Sequence, residues 1–186
     1  MNIISIIKDE DVGYDKFESN EKEKIRYASR GIVINKNNEI AIFNKTNKNE
    51  YKLPGGGIEG NEDPEEAFKR EVLEETGCKI DIVDYLGTIE EYKSKDNFKQ
   101  ISHVFVGKVI EDTHQFGFTE KEKDEGARLL WTDIDNGLKL IIDCFDKIKE
   151  SKYESIYHTK FIVYRDRKIL EYYLKAPLCK GSWQRS

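Results

Sequence analysis

Three successive glycines followed by a sharply punctuated helix constrain this chain more than any other feature of its 186 residues. Leu53-Pro54-Gly55-Gly56-Gly57 breaks regular structure and permits close backbone approach to a ligand. Asp63 is a good N-cap, Pro64 suits the first helical position, and Glu66 occupies the third place of a capping box. Gly77 suits the left-handed residue that ends a helix. The spacing therefore predicts a helix over Pro64–Thr76. On it Glu71, Glu74 and Glu75 stand at i, i+3 and i+4, one turn apart on a single face.

Like charges at that spacing repel by a few tenths of a kcal/mol, roughly, per exposed pair. A divalent cation would compensate them. Mg²⁺ prefers oxygen ligands and keeps several waters, so one or two carboxylates plus substrate oxygens suffice. A carbonyl of Gly55 or Gly56 would add a neutral ligand. Arg70, beside Glu71, is placed to pin a carboxylate such as Glu62 through a bidentate contact. A solvated acidic face is the competing account of such a run when it stands alone.

Elsewhere, Ile32–Ile34 and Ile40–Phe43 flank an Asn-rich turn and read as a hairpin. Thr46–Glu50 reads as a polar loop. A strand region opens at Ile80 and runs towards Ile89, and Ser94–Phe98 reads as a hairpin loop. Ile101–Val109 alternates, with His103 and Phe105 on one face and Ser102, Val104 and Val106 on the other. Thr119–Gly126 is a charged loop or helical turn, and Leu129–Trp131 a short strand. Asn136–Lys149 and Ile156–Leu174 carry helical periodicity. Residues 1–24 read as an N-terminal extension on the surface, 25–150 as the main domain, and 151–186 as a C-terminal helix and tail packed on it.

Composition narrows the partners. Apolar residues make up 38% and charged residues 36%, which fits a globular protein with one core. The net charge of −5 gives no basic footprint for nucleic acid. No apolar run is long enough to span a membrane. Cys78, Cys144 and Cys179 form no CxxC pair, and an odd count suits a reducing compartment, so a cytoplasmic location is expected.

Gly56, five residues, Glu62, seven residues, then Arg70-Glu71-Val72-Leu73-Glu74-Glu75-Thr76-Gly77-Cys78 resembles the signature box of the Nudix (MutT-like) hydrolases. The pattern is Gly-x5-Glu-x7-Arg-Glu-U-x-Glu-Glu-x-Gly-U, with U a bulky aliphatic. Cys78 replaces the last aliphatic, a mild change because cysteine behaves as a small hydrophobe. The resemblance implies an α/β fold: an α/β/α sandwich with a mixed central sheet, plus C-terminal helices. It implies hydrolysis of a nucleoside diphosphate linked to another moiety, with Mg²⁺ as the metal and Mn²⁺ able to substitute. By position it assigns metal binding to Glu71, Glu74, Glu75 and the Gly55 carbonyl, and catalysis to Glu74, Glu75 and Arg70. Gly56 and Gly57 fall at the substrate.

The general base is left open between a box glutamate and a carboxylate of the later acidic loop, where Glu122 and Glu125 are candidates. A solvated loop is the alternative for those two. Arg30 would reach substrate from the first strand unless it is an ordinary edge-strand charge, and Tyr51 either stacks on a base or covers the core. His114 and His158 have no zinc-like spacing with the cysteines. A nucleotide-type small molecule is the expected partner, a nucleoside triphosphate, oxidised or not, being left by elimination. The oligomeric state is open, a homodimer being one option. The competing functions are a non-catalytic nucleotide-sensing regulatory module and a plain interaction domain; retention of the box glutamates favours the enzyme.

Overall fold

The computed structural model describes residues 2–18 and 22–175. One sheet contains β1 (Ile3–Ile7), β2 (Lys24–Ile34), β3 (Ile40–Lys45), β4 (Glu50–Lys52), β5 (Gly55–Gly57), β6 (Cys78–Lys93), β7 (Phe98–Asp112) and β8 (Ala127–Thr132). The α-helices are α1 (Pro64–Thr76), α2 (Glu120–Asp124), α3 (Ile134–Cys144) and α4 (Ile156–Lys175). The main strand path is β1-β6-β7-β2-β3-β4, with β5 paired to β2 and β8 to β3. β1 lies parallel to β6 and β2 parallel to β7, while the other pairs are antiparallel. The sheet is thus mixed.

Both faces of the sheet are covered, so its central strands bury residues of both parities. On one face Phe68 and Val72 of α1 meet Val33, Ala41, Ile80 and Phe105. On the other, Ile141 of α3 and Phe161, Ile169 and Leu170 of α4 meet Ile32, Ile42, Val104 and Val106. The result is a three-layer α/β/α sandwich.

Local signals set α1 as the sequence predicts. The Asp63 side chain accepts from the Glu65 N–H at 2.8 Å. Gly77 takes φ 69° and its N–H caps the Leu73 carbonyl at 2.9 Å. The cap therefore closes on Glu65, not through the expected Glu66 box. The α3 helix starts earlier than its apolar spacing suggests, because Asp133 caps it by accepting from the Asn136 N–H. It also ends sooner, passing into a 3-10 turn at Phe145–Lys147.

Two sequence expectations change. Residues 1–24, expected on the surface, place β1 against β6, with Ile7 and Val12 essentially inaccessible. An isolated apolar pentapeptide carries no sign of its partner, and parallel pairing is always a long-range choice. The polar loop 46–50 ends in β4, and Lys48 and Glu50 are buried as an ion pair at 2.6 Å. The tail beyond residue 175, with Cys179, lies outside the described residues.

Candidate functional site

The short strand β5 has no side chains, and that lets two features meet across it. It pairs with β2 through Arg30–Gly55, Ser29–Gly56 and Ala28–Gly57. The Glu71 carboxylate lies directly against Gly56: a Cβ there would sit 2.4 Å from the Glu71 carboxyl carbon. Gly55 has φ 139°, and a Cβ on it would overlap Arg30. Glycine is required at Gly55 on both steric and backbone grounds, whereas a side chain at Gly56 would displace the Glu71 carboxylate from the strand.

The carboxylates of α1 are held by a few cations. Arg70 grips Glu62 with both edges of its fork, Nε to Oε1 at 2.9 Å and Nη2 to Oε2 at 3.0 Å. The same guanidinium donates to Glu71 at 2.9 Å and to the Gly57 carbonyl at 3.0 Å. Its contact with Glu74 is long, at 3.5 Å. The hydrogen bond from Arg70 is the main reason Glu62 lies below the usual carboxylate range. Glu75 is buried, paired with Lys52 Nζ at 2.6 Å, and accepts from the Gly55 N–H at 2.9 Å. Burial pushes Glu75 above its ordinary pKa against the pull of Lys52. Glu74 is the most open of the trio, its side chain 45% exposed. Burial and then the neighbouring Glu71 raise its proton affinity.

Among the described residues, no three His, Cys, Asp or Glu groups converge as a ready-made metal cage. The donor set still fits a hard cation. All the donors are oxygens, Glu71 and Glu74 repel each other, and Mg²⁺ needs only one or two carboxylates when substrate and water complete its shell. The Gly55 group seen engaged is its N–H, donating to Glu75, whereas the expected ligand is its carbonyl.

On the other side of β5 a cavity of about 380 Å³ opens beneath α4. Seven cationic side chains line it, Arg26, Arg30, Lys45, Lys52, Lys93, Lys121 and Arg165, against the acids Glu50, Asp96 and Glu154. Gly55, Gly56 and Gly57 line it too, so the cavity and the carboxylate face share one strand. Lys52 connects them: it lines the cavity and pairs with Glu75.

Arg30 is not an edge charge. It lies on a central strand, 4% exposed, and lines the cavity. Tyr51 faces away: its neighbours Glu50 and Lys52 line the cavity, while Tyr51 packs on the core under α3 and α4. Strand alternation forces that split. Glu122 closes a capping box with Thr119 at the start of α2. Glu125 is buried, bonded to Lys45 at 2.8 Å and to Ser151 at 2.6 Å. Neither has a described contact with the carboxylates of α1; a capping bond and a buried ion pair occupy them instead. Lys93 and Arg165 were missed in the sequence. The signal available was the charge pair Arg165-Asp166 on the inward phase of α4, between Ile162 and Ile169.

Beneath the cavity the ion pairs make stability depend on pH. Burial alone would raise Glu91, but Lys93, Arg165 and Arg30 hold it down at about 2. Burial likewise opposes Glu154, which Lys48 and Lys121 hold at about 2. A depressed carboxylate contributes stability above its unfolded pKa and loses it as pH falls through the folded value. The urea midpoint is therefore expected to hold from neutral pH to near the ordinary value of 4.5 and to drop steeply from there towards pH 2. A midpoint that stays level down to pH 2 would show that these two carboxylates do not stabilise the fold.

A family model described as the NUDIX domain matches residues 24–147. The chain belongs to the Nudix family. An ADP-ribose pyrophosphatase from Methanocaldococcus jannaschii is 32% identical over 121 residues, 63% of this chain and 68% of that protein. An 8-oxo-dGTP diphosphatase from Proteus vulgaris is 33% identical over 73 residues, 37% of this chain and 64% of that protein. A diphosphoinositol polyphosphate phosphohydrolase 3-alpha from Mus musculus is 33% identical over 89 residues, 48% of this chain, and the match spans about half of that protein, 51%. A solved NUDIX hydrolase from Nitrosomonas europaea shares the fold, with a TM-score of 0.57, 16% identity, and coverage of 87% of this chain and 98% of that one. No helix among the described residues is long and apolar enough to cross a membrane.

Proposed function

We propose that the protein is a divalent-metal-dependent hydrolase that cuts the diphosphate bridge of a nucleoside diphosphate linked to another moiety, with Mg²⁺ as metal and Mn²⁺ as substitute. The observation that carries this reading is the contact of Glu71 with Gly56 under the grip of Arg70. It fixes an acidic helix face against a bare strand that also floors a cationic cavity. Glu71, Glu74 and Glu75 would hold the metal. Bound there, it would polarise phosphoryl oxygens and lower the pKa of a bound water.

The chain's own residues do the rest. Arg70 orients Glu71 and holds Glu62 and the Gly57 carbonyl in register. Lys52 draws the substrate's negative charge towards Glu75. The side-chain-free strand lets phosphoryl oxygens approach the backbone closely. With Glu122 and Glu125 bonded elsewhere, a box glutamate is the better candidate for the proton acceptor, and Glu74 is the most accessible.

The substrate is a nucleotide derivative. A nucleoside triphosphate, oxidised or not, and ADP-ribose both belong in the first screen, given the names of the similar proteins. The buried free thiols Cys78 and Cys144 accord with a cytoplasmic location. The test is product release from nucleotides, nucleotide sugars and dinucleoside polyphosphates with Mg²⁺, Mn²⁺ or EDTA. Metal-dependent release of a nucleotide product is expected; no release from any of them would end the hydrolase reading and favour a nucleotide sensor.

Arg70→Lys gives a sharper check on the site. Lysine presents a point charge and cannot span Glu62, Glu71 and Gly57 at once. Loss of such an orienting partner costs about 10–100-fold in metal affinity or activity. Mn²⁺ titration and turnover check it, and unchanged values in both would remove the orienting role.

A further inference from the structure

The cations of the cavity under α4 are not all matched by acids. Lys45 pairs with Glu125, Lys52 with Glu75 and Lys93 with Glu91. Arg165 is 1% exposed; its Nε donates to Asp166 at 2.7 Å and its Nη1 to Glu91 at 3.2 Å. Its Nη2 is buried and, among the described residues, has no hydrogen-bond partner. Such an unmade bond costs about 1–3 kcal/mol, so it calls for an explanation.

Arg30 is the second anomaly. Its Nε donates to Ser102 at 3.2 Å, and among the described residues no carboxylate lies within ion-pair distance of it. Burial, reinforced by the charge of Arg165, lowers Arg30 to about 10. A water molecule would satisfy the bare Nη2 but would leave the buried Arg30 without a counter-ion, since Glu91 and Asp166 are already held by Arg165. An anion does both. Planar guanidinium forks match the oxygens of a phosphoryl group in particular.

The position of this anion site follows from its floor. Gly55–Gly57 lines the cavity, and the Glu71 carboxylate touches the same strand at Gly56. A molecule whose diphosphate sits at the carboxylates therefore extends naturally into the cavity. We propose that Arg30 and Arg165 bind a phosphoryl group of the substrate beyond the diphosphate bridge, and that α4 thereby selects polyphosphorylated substrates over those ending in a neutral sugar. The proposal rests on the hydrolase reading for the word substrate. The selecting helix begins at Ile156, past the end of the family match at residue 147.

The probe is inorganic tripolyphosphate, titrated calorimetrically into the full chain in EDTA. Saturable binding is expected, at least tenfold weaker in Arg30→Gln and unchanged in Glu74→Gln. Arg30→Gln should also keep or raise the melting temperature, because it removes a buried charge beside Arg165. Arg165→Gln risks misfolding, since buried Glu91 and Asp166 each lose a cationic partner, so Arg30→Gln carries the test. No saturable binding, or equal binding by Arg30→Gln, overturns the proposal. Where a substrate is turned over, tripolyphosphate should raise KM and leave kcat alone; a fall in kcat at constant KM would mark a separate effector site and also overturn it. Tripolyphosphate binding without hydrolysis of any substrate would sink the hydrolase reading while the anion site stands. Hydrolysis without tripolyphosphate binding does the reverse.

Discussion

Glu74→Gln is expected to lower turnover by on the order of 100-fold or more while leaving the melting temperature almost unchanged. The substitution keeps shape and one acceptor oxygen but removes the charge that a divalent cation needs. Glu74 is the member of the trio whose charge is least engaged by a partner. Its side chain is 45% exposed, and its contact with Arg70 is 3.5 Å. Arg70 keeps Glu62 and Glu71. The variant also relieves repulsion from Glu71, so folding has nothing to lose. Steady-state rates with Mg²⁺ and a thermal melt check both halves. Turnover within a fewfold of the parent chain would count decisively against a metal at this helix.

Glu75→Gln should be the more damaging change, because it acts on the fold as well as on the reaction. Glu75 and Lys52 are a buried pair at 2.6 Å, with side chains 4% and 10% exposed. Glutamine still accepts from the Gly55 N–H but leaves the Lys52 ammonium without its counter-charge. Breaking one side of a buried pair costs about 3–5 kcal/mol. The lower end applies here, about 3 kcal/mol, since burial already holds the Glu75 pKa up and Lys52 retains the face of Phe43 at 4.8 Å. For a chain of this size that is a fall of roughly 6–12 °C in melting temperature. The double variant Lys52→Met/Glu75→Gln should recover most of that loss and none of the activity. If the single variant melts with the parent chain, the Lys52–Glu75 pair is not what anchors α1 to β5.

These two variants separate what looks alike in the sequence. Glu74 and Glu75 are adjacent, acidic and part of one box. Nothing in their spacing says that one faces solvent and the other lies under a lysine that belongs to β4. The same limit explains Glu125, whose burial depends on Lys45 far upstream, and Tyr51, whose face follows from the pairing of β4 with β3. It also explains Glu91 and Arg165, which meet although 74 residues separate them. The charged pair Arg165-Asp166 lies on the inward phase of α4, but nothing local in the sequence says with whom it bonds.

What the sequence determined by itself was α1, from its Asp63 cap to its Gly77 stop, and the placement of three carboxylates on one of its faces beside a run of glycines. Those features depend on φ/ψ preferences, end-capping bonds and a 3.6-residue repeat, all of which act within a few positions along the chain. Only the tertiary structure decided which cation holds each carboxylate, that residues near the N-terminus complete the sheet, and that two arginines share a cavity under α4. Those outcomes depend on which strands pair and which helix face lands on them. Such choices are made by burial summed over the whole core, and no short window of sequence contains it.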